Sequence, residues 1–293
     1  MIGQLLKGYQ IVEKIKDGSV GTVWRVTNSR NETFAIKQIS QKNAARGEKV
    51  KQFKREATLT QELKHPAIIK VFEYLEHGTQ PFFVMEYFES ENLKYAMWHL
   101  PERVYKYEFH VLRQIAEALS FIHGRGVIHK DLKPENILVD AKSSVRLIDF
   151  SLAQTKMDRM LQFGRRVEGT PLYMAPEQVQ GKKCDHRSDI YSFGVMMYEL
   201  LTKRPPFLGT TPAALLQKHL TEPAAPMKHI VKTISPELDQ VVLRMLAKKP
   251  EDRYQDMASV LFELSKWEKK DTVIRLRQVE PAKRRDVAEG AGL

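Results

Sequence analysis

Ionisable residues cluster between two short apolar runs in the stretch VIHKDLKPENILVD, residues 127–140. The polar members of this stretch are His129, Lys130, Asp131, Lys133, Glu135 and Asn136. An exposed hairpin loop would explain the polarity, but such loops favour Gly, Asn-Gly or Asp-Gly, and the stretch contains no glycine. We therefore predict a rigid loop that presents charged side chains to a reaction.

Two further charged residues lie where apolar residues are expected. Residues 48–63 have the periodicity of a helix, and Lys37 lies in the apolar strand-like run TFAIKQI. The inward stripe of the helix is Phe53, Glu56, Thr60 and Leu63. A buried charge is costly unless it meets an opposite charge, although either side chain could instead extend to the surface. Two such residues so close in the chain favour an ion pair between Lys37 and Glu56.

Two glycines, Gly18 and Gly21, lie in the stretch KDGSVGTVWRV, at the junction of the strand-like runs YQIVEKI and GTVWRV. Glycine lets a turn come close to phosphate oxygens, with backbone N–H groups as donors. Glycines at this spacing are also common in hairpins, so the signal is weak on its own. Because the glycines lie between two strands rather than between a strand and a helix, they argue against a dinucleotide-binding Rossmann unit.

The elements that must position these residues change type near residue 90. Before it, short runs alternate in the manner of strands around one helix, and after it the periodicity is helical. The pattern predicts an α+β, bilobal fold. Residues 1–89 are predicted to form a small β-rich N-lobe with one main helix, and residues 90–267 a larger α-helical C-lobe. Residues 268–293 are predicted to form a flexible tail.

Bulk composition narrows the class of protein. Lys and Arg outnumber Asp and Glu by 47 to 36, but no basic run is interleaved with aromatic residues, so no nucleic-acid partner is predicted. The single cysteine excludes a disulfide within the chain and suits a reducing compartment. The N-terminus lacks the apolar core of a signal peptide, and no apolar run approaches the ~20 residues of a membrane span. A soluble cytoplasmic protein is therefore predicted.

Six pieces of the chain, taken in order, resemble the catalytic domain of protein kinases. They are GSVGTV, FAIK, Glu56, HKDLKPEN, DFS and APE. Any one of them would be weak, but six in the right order over nearly the whole chain are highly specific. The segments GTPLYMAPEQ, SDIYSFGVMMYELLTKRPPF and KKPEDRYQDM are most similar to the bacterial-type serine/threonine kinases.

The resemblance implies that the cofactors are ATP and Mg²⁺. Phosphoryl transfer depends mainly on positioning and on neutralising the charge spread over the γ-phosphoryl group. The residues implied to form the nucleotide site are Gly18, Gly21, Val23, Ala35, Lys37, Glu56, Met85, Glu86, Phe88, Leu138 and Asp149. Asp131 is implied to be the catalytic base, and Lys133 to steady the transferring group. The implied Mg²⁺ ligands are Asn136 and Asp149.

Other implied roles concern the acceptor and the architecture. The form DLKPEN, with Lys133, resembles serine/threonine kinases rather than tyrosine kinases. Thr170 is implied to hydrogen-bond Asp131 and Lys133, although it could also be an ordinary turn residue. The implied partners are ATP and protein substrates, with a homodimer as an arrangement for autophosphorylation. The architectural residues are a buried ion pair of Glu177 with Arg253, and Asp189 beneath the catalytic loop.

The chain departs from the family pattern beside the nucleotide. Lys16 stands where the first glycine of the loop is usual, which should stiffen the loop slightly. Ser151 replaces the glycine of the Asp-Phe-Gly motif, which should restrict the backbone next to Asp149. Because Asp149 is retained, catalysis is still expected.

A third departure concerns regulation. Lys130 stands where many kinases carry an arginine that binds a phosphorylated residue of the activation segment. Between Ser151 and Glu168 the only hydroxyl residues are Ser151 and Thr155, both near the start. We hypothesise that activity requires no phosphorylation in the middle of this segment. Glu168 is either a fixed negative charge for Lys130 or a solvated residue, and the sequence favours the solvated residue.

Two other functions fit parts of the pattern. A pseudokinase, acting as a binding or scaffold module, is suggested by Lys16 and Ser151, but Lys37, Asp131 and both implied metal ligands are present. A small-molecule kinase of related fold is disfavoured by the long activation segment and the APE motif. An ATP-dependent serine/threonine protein kinase is therefore the leading prediction, with the pseudokinase as the alternative.

Overall fold

The structure, a computed structural model, describes residues 2–161 and 167–267. Strands dominate as far as Glu86 and helices dominate from Leu93 onward, so the predicted α+β, bilobal fold is confirmed. The division at residues 89 and 90 stays a prediction, and the predicted tail, residues 268–293, lies outside the described residues.

The N-lobe is built on a six-stranded antiparallel sheet. Its strands are β1 (Leu5–Leu6), β2 (Tyr9–Asp17), β3 (Gly21–Thr27), β4 (Thr33–Ile39), β5 (Val71–Leu75) and β6 (Phe82–Glu86). They lie in the order β1-β2-β3-β4-β6-β5. The register sets Lys37 opposite both Val23 and Phe83, and Ala35 opposite Met85. Lys37 is therefore placed on a central strand whose neighbours are apolar.

One long helix packs on this sheet. The short helix α1 (Gln41–Ala44) leads into α2 (Gly47–Glu62). The buried face of α2 consists of Phe53, Glu56, Ala57, Leu59 and Thr60, which confirms the predicted stripe. Leu63 of that stripe is buried but lies just beyond the helix end. The Phe53 ring packs 5.1 Å from that of Phe83 on β6, so Glu56 is carried towards the sheet together with the apolar residues.

The C-lobe is helical around one central helix. Its helices are α3 (Leu93–His99), α4 (Pro101–Tyr105), α5 (Glu108–Gly124), α6 (Lys156–Leu161), α7 (Pro176–Val179), α8 (His186–Thr202), α9 (Pro212–Thr221), α10 (Pro236–Met245) and α11 (Met257–Trp267). Every residue of α8 from Ser188 to Thr202 is buried, because α5 and α10 pack against it. A helix that is buried on all sides belongs to the interior of a domain.

A small second sheet carries the loop predicted to be reactive. Its strands are β7 (Glu91–Asn92), β8 (Ile137–Val139) and β9 (Val145–Leu147), in the order β7-β8-β9. Ile137–Val139, the second of the two apolar runs around the polar loop, is thus a strand. Val127-Ile128 is not, because Ile128 makes only a single bridge, to Gln154. None of the helices in residues 2–161 and 167–267 is long and apolar enough to cross a membrane.

Candidate active site

A buried carboxylate on α8 holds the polar loop from beneath. Asp189 accepts hydrogen bonds from the backbone N–H groups of His129 (2.8 Å) and Lys130 (2.9 Å), and its Oδ2 lies 2.8 Å from Nε2 of His123. Burial alone would raise the pKa of Asp189, but hydrogen bonds and charge from His123 and His129 hold it below its usual value. The ionised carboxylate also holds Lys130 at φ 67°, a left-handed conformation that few residues other than glycine adopt.

Three of the predicted site residues, two on the polar loop and one far along the chain, lie together around Asp131. Lys133 Nζ donates to Asp131 Oδ2 (2.7 Å), and Asn136 Nδ2 donates to the Asp131 carbonyl (2.9 Å). Thr170, 39 residues further along the chain, donates to Asp131 Oδ1 through both its N–H (2.9 Å) and its Oγ1 (2.8 Å). Lys133 Nζ also lies 2.6 Å from Thr170 Oγ1, so the contacts expected of Thr170 are present.

A second charged group lies between the sheet and α2. Lys37 Nζ lies 2.6 Å from Glu56 Oε1 and 3.9 Å from Asp149 Oδ1, so the predicted ion pair exists and reaches a second carboxylate. Burial opposes a charge on Lys37, but the two carboxylates outweigh it and raise the pKa of Lys37. The ammonium is therefore charged in the folded protein, and it can attract an anionic ligand.

Asp149 is strained and ionised. Its φ is 63°, and the Ser151 N–H donates to Asp149 Oδ1 at 3.3 Å. Burial raises the pKa of Asp149, whereas the Lys37 charge and hydrogen bonds from Ser151 lower it, and the net direction is downward. Ser151 therefore holds the carboxylate at the position where the family pattern has glycine. The Ile148 N–H donates to the Asn136 carbonyl (2.9 Å), which places Asp149 directly beside the catalytic loop.

The residues implied to surround the adenine ring lie on strands of the two sheets or next to them. Val23 on β3, Met85 on β6 and Leu138 on β8 are half-buried, whereas Ala35 on β4 is buried. The remaining two, Glu86 and Phe88, lie at the end of β6 and just after it.

Arg146 on β9 contacts both Glu86 and Phe88, and this contact was not predicted from the sequence. Its Nε donates to Glu86 Oε1 (3.0 Å), and its guanidinium lies 4.4 Å from the centre of the Phe88 ring. Only the folded register of β9 against β8 brings Arg146 to this place, so no local signal in the sequence would have found it.

The structure shows a packing role for Gly21, and its predicted place above the phosphates stays a prediction. The Gly18 N–H donates to the Gly21 carbonyl (2.8 Å) and closes the turn. A Cβ atom at Gly21 would lie 2.0 Å from the carbonyl oxygen of Gln38. Gly21 is therefore required by the close approach of β3 to β4, whatever ligand the turn covers.

Glu168, near the end of the segment that follows Asp149, lies against the polar loop. Glu168 Oε2 is 3.7 Å from Lys130 Nζ, and Gln178 Nε2 donates to the carbonyls of both Lys130 (2.8 Å) and Glu168 (3.3 Å). Lys130 is buried, and the Glu168 side chain is 38% exposed. The sequence favoured a solvated Glu168, but the structure shows that its carboxylate faces Lys130. Residues 162–166, in the middle of the segment, lie outside the described residues.

The predicted architectural ion pair is also present. Arg253, which is fully buried, donates from Nη1 to Glu177 Oε1 (2.8 Å) and from Nη2 to Glu177 Oε2 (2.9 Å). Its remaining donors reach the carbonyls of Arg187, Ala247 and Lys248. Arg253 therefore joins α7 to the start of α8 and to the loop after α10.

This combination of fold and charged residues defines a protein kinase domain. The sequence model of that family, described as "Protein kinase domain", matches residues 9–263, and the chain belongs to the family. The family implies ATP as phosphoryl donor together with a divalent metal ion.

Several bacterial serine/threonine kinases are similar to the chain. The chain is 34% identical over 271 residues to a probable serine/threonine-protein kinase of Clostridium acetobutylicum, covering 90% of this chain and 41% of the relative. It is 36% identical over 218 residues to the serine/threonine-protein kinase PknB of Mycolicibacterium smegmatis, covering 72% of this chain and 35% of the relative. PknB of Mycobacterium tuberculosis is 37% identical over 218 residues, covering 72% of this chain and 35% of the relative. The chain thus spans about two fifths of the length of these relatives.

Proposed function

We propose that the chain transfers the γ-phosphoryl group of ATP to serine and threonine hydroxyls of protein substrates. The observation that carries the proposal is the hydrogen-bonded group of Asp131, Lys133 and Thr170 beside the Lys37–Asp149 pair. It combines a proton acceptor with two ammonium groups, which is what phosphoryl transfer to a hydroxyl requires.

Asp131 is proposed to orient the acceptor hydroxyl and to take its proton. Thr170 fixes Oδ1 through two hydrogen bonds, and Lys133 contacts Oδ2, so the carboxylate has one preferred orientation. Lys133 can then neutralise negative charge that develops near Asp131 during transfer. Because Thr170 belongs to the segment that precedes APE, that segment is expected to help position the acceptor.

Mg²⁺ is the proposed metal, and the donor set fits it. The Asn136 amide nitrogen is engaged with Asp131, so the amide oxygen is the atom that would bind a cation, and Asp149 is ionised. Carboxylate and amide oxygens are the hard ligands that Mg²⁺ prefers beside phosphates. When bound, the ion would neutralise phosphate charge, and Lys37, held by Glu56, would contact the α- and β-phosphates. Gly18 and Gly21 close the turn that covers them.

The adenine ring is proposed to lie between Val23 and Ala35 on one side and Leu138 on the other. Met85 borders the back of this space, and backbone groups of Glu86 and Phe88 bind the base. The Glu86 N–H already donates to the Lys70 carbonyl (2.9 Å), so that N–H is not the donor to adenine.

The partners follow from this function. We propose a protein substrate, a cytoplasmic setting and a homodimer in which one copy phosphorylates the other. The whole-protein roles of the named relatives support a serine/threonine acceptor, since both PknB proteins carry that description.

The proposal is tested by incubating the chain with γ-labelled ATP, Mg²⁺ and a generic basic protein, followed by acid hydrolysis. Label on phosphoserine or phosphothreonine is expected, and Lys37→Met should reduce it to background because the phosphates lose their ammonium contact. Gly47→Ala, at the start of α2, serves as a control that should retain label. Tight ATP binding without any label on protein would instead identify a pseudokinase.

We further propose that Glu168 supplies the negative charge that Lys130 needs. Glu168→Gln is expected to reduce kcat about 3- to 10-fold, because a half-exposed contact to a buried ammonium is worth about 1 kcal/mol. Glu168→Lys should reduce it further, because two ammonium groups would then face each other. Initial rates on a protein acceptor measure both effects.

Mass spectrometry of the purified chain supplies the control for this prediction. Full activity in a chain that carries no phosphate between residues 151 and 168 agrees with the proposal. Activity that appears only after phosphorylation within that segment would contradict it.

A further inference from the structure

Two side chains of α2 bind the backbone of the segment that follows Asp149. Gln52 Nε2 donates to the Ser151 carbonyl (2.9 Å), and Arg55 Nη2 donates to the Ala153 carbonyl (2.9 Å). Gln52 and Arg55 are three residues apart and therefore share one face of the helix. Arg55 directly precedes Glu56, so the same helix holds both Lys37 and this segment.

Arg55 also binds a carboxylate on that segment. Its Nη2 pairs with Asp158 Oδ2, in the first turn of α6. The same Asp158 oxygen accepts from the N–H (2.7 Å) and the Oγ1 (2.7 Å) of Thr155, and the Asp158 N–H donates back to Thr155 Oγ1 (3.2 Å). The hydrogen bonds with Thr155 thus orient the Asp158 carboxylate that pairs with Arg55.

The charge state suits this contact. Burial would raise the pKa of Asp158, but the Thr155 hydrogen bonds and the Arg55 charge together hold it below its ordinary value. Lys51 and Lys54 line the same groove beside Arg55 and Asp158. Arg55 contacts both a carbonyl and a carboxylate. A guanidinium, which has several directed N–H donors, suits such a double contact better than the ammonium group of a lysine does.

We propose that Arg55 is a positioning residue that clamps residues 151–158 onto α2 and so keeps Asp149 turned towards Lys37 and the metal. The inference rests on the proposed function, because it concerns the same site. Asp149 has a φ of 63°, and a strained backbone of this kind persists only when its surroundings hold it. The clamp supplies that support within four residues of Asp149, at the Ala153 carbonyl, and again at Asp158.

A purely structural pair would behave differently from a clamp. The Arg55 and Asp158 side chains are 37% and 34% exposed, and ion pairs with this exposure add little to the free energy of unfolding. Loss of the pair should therefore leave the melting temperature almost unchanged. The effect should appear instead in metal-dependent nucleotide binding and in the opening of residues 150–158.

The test compares Arg55→Met and Asp158→Asn with the control Lys51→Met, which removes an exposed cation one turn earlier on α2. The dissociation constant of ATP is measured with and without Mg²⁺. In Arg55→Met and Asp158→Asn, the strengthening of ATP binding by Mg²⁺ is expected to fall about 10-fold, as when the support of a metal ligand is removed. The kcat should fall with it, while KM for the protein acceptor stays unchanged. Lys51→Met should match the wild type.

Amide hydrogen exchange without nucleotide gives a second readout that needs no activity. Residues 150–158 should exchange faster in Arg55→Met. Adding Asp158→Asn to Arg55→Met should change the exchange little, because Arg55→Met already removes the contact to Asp158 as well as the one to the Ala153 carbonyl. Unchanged exchange, or an unchanged Mg²⁺ effect, in Arg55→Met would overturn the clamp. A wild-type chain that shows the clamp but transfers no phosphate would refute the proposed function and leave the clamp standing.

Discussion

Asp131→Asn is expected to lower kcat for phosphate transfer by about 10²–10⁴-fold, the usual contribution of a general base. The substitution keeps the shape of the side chain, but an amide cannot take the acceptor proton. The amide nitrogen also cannot accept a hydrogen bond, so either the Thr170 pair of contacts or the Lys133 contact is lost. Because Lys37 and Asp149 are untouched, KM for ATP should stay close to that of the wild type.

Initial rates with labelled ATP and a generic basic protein measure this effect. Asp252→Asn, at an exposed aspartate, is the matched control and should retain wild-type rates. ATP titration of the Asp131→Asn protein shows whether the nucleotide site is intact. A kcat within about threefold of the wild type would remove Asp131 from the role of base, since general-base catalysis contributes far more than that.

Arg253→Met should destabilise the protein by about 3–5 kcal/mol, the typical result of removing one partner of a buried ion pair. Glu177 would keep a buried charge without its bidentate partner, and three backbone carbonyls would each lose a donor. For a domain of this size such a change lowers the melting temperature by about 6–20 °C. Denaturant or thermal unfolding followed by circular dichroism measures the loss.

A double variant separates the pair from its surroundings. Glu177→Leu combined with Arg253→Met leaves no uncompensated charge, so its loss should be smaller than that of Arg253→Met alone. Lys266→Met removes the exposed pair with Glu263 and should change the free energy of unfolding by less than about 1 kcal/mol. A single Arg253→Met variant as stable as the wild type would show that this pair does not hold the C-lobe together.

The parts of the site that could be predicted are those whose residues are close in sequence or carry a strong pattern. Lys37 on an apolar strand and Glu56 on an apolar helix stripe each signalled a missing partner. The polar loop between two apolar runs signalled a reactive loop for the same reason, because buried charges need partners. Thr170 could be assigned only through the resemblance, since nothing local distinguishes it from a turn residue.

The parts that could not be predicted depend on contacts between distant stretches. Arg55 and Asp158 are 103 residues apart, and each looks like an ordinary surface residue in its own sequence context. Arg146 meets Glu86 only because β9 pairs with β8. The sequence favoured a solvated Glu168, because most carboxylates are exposed. In the structure Gln178 binds the backbone carbonyls of both Lys130 and Glu168 and so holds the two residues side by side.

The burial of α8 also determines when during synthesis the site can exist. The loop that carries Asp131 leaves the ribosome early, but its anchor, Asp189, lies on a helix that needs α10 to cover it. A helix that is buried on all sides in the folded protein has no stable place in water until that cover has been made. A nascent chain that ends before residue 236 would therefore carry Asp131, Lys133 and Thr170, yet lack the cover that keeps α8, and with it the loop of Asp131, in place.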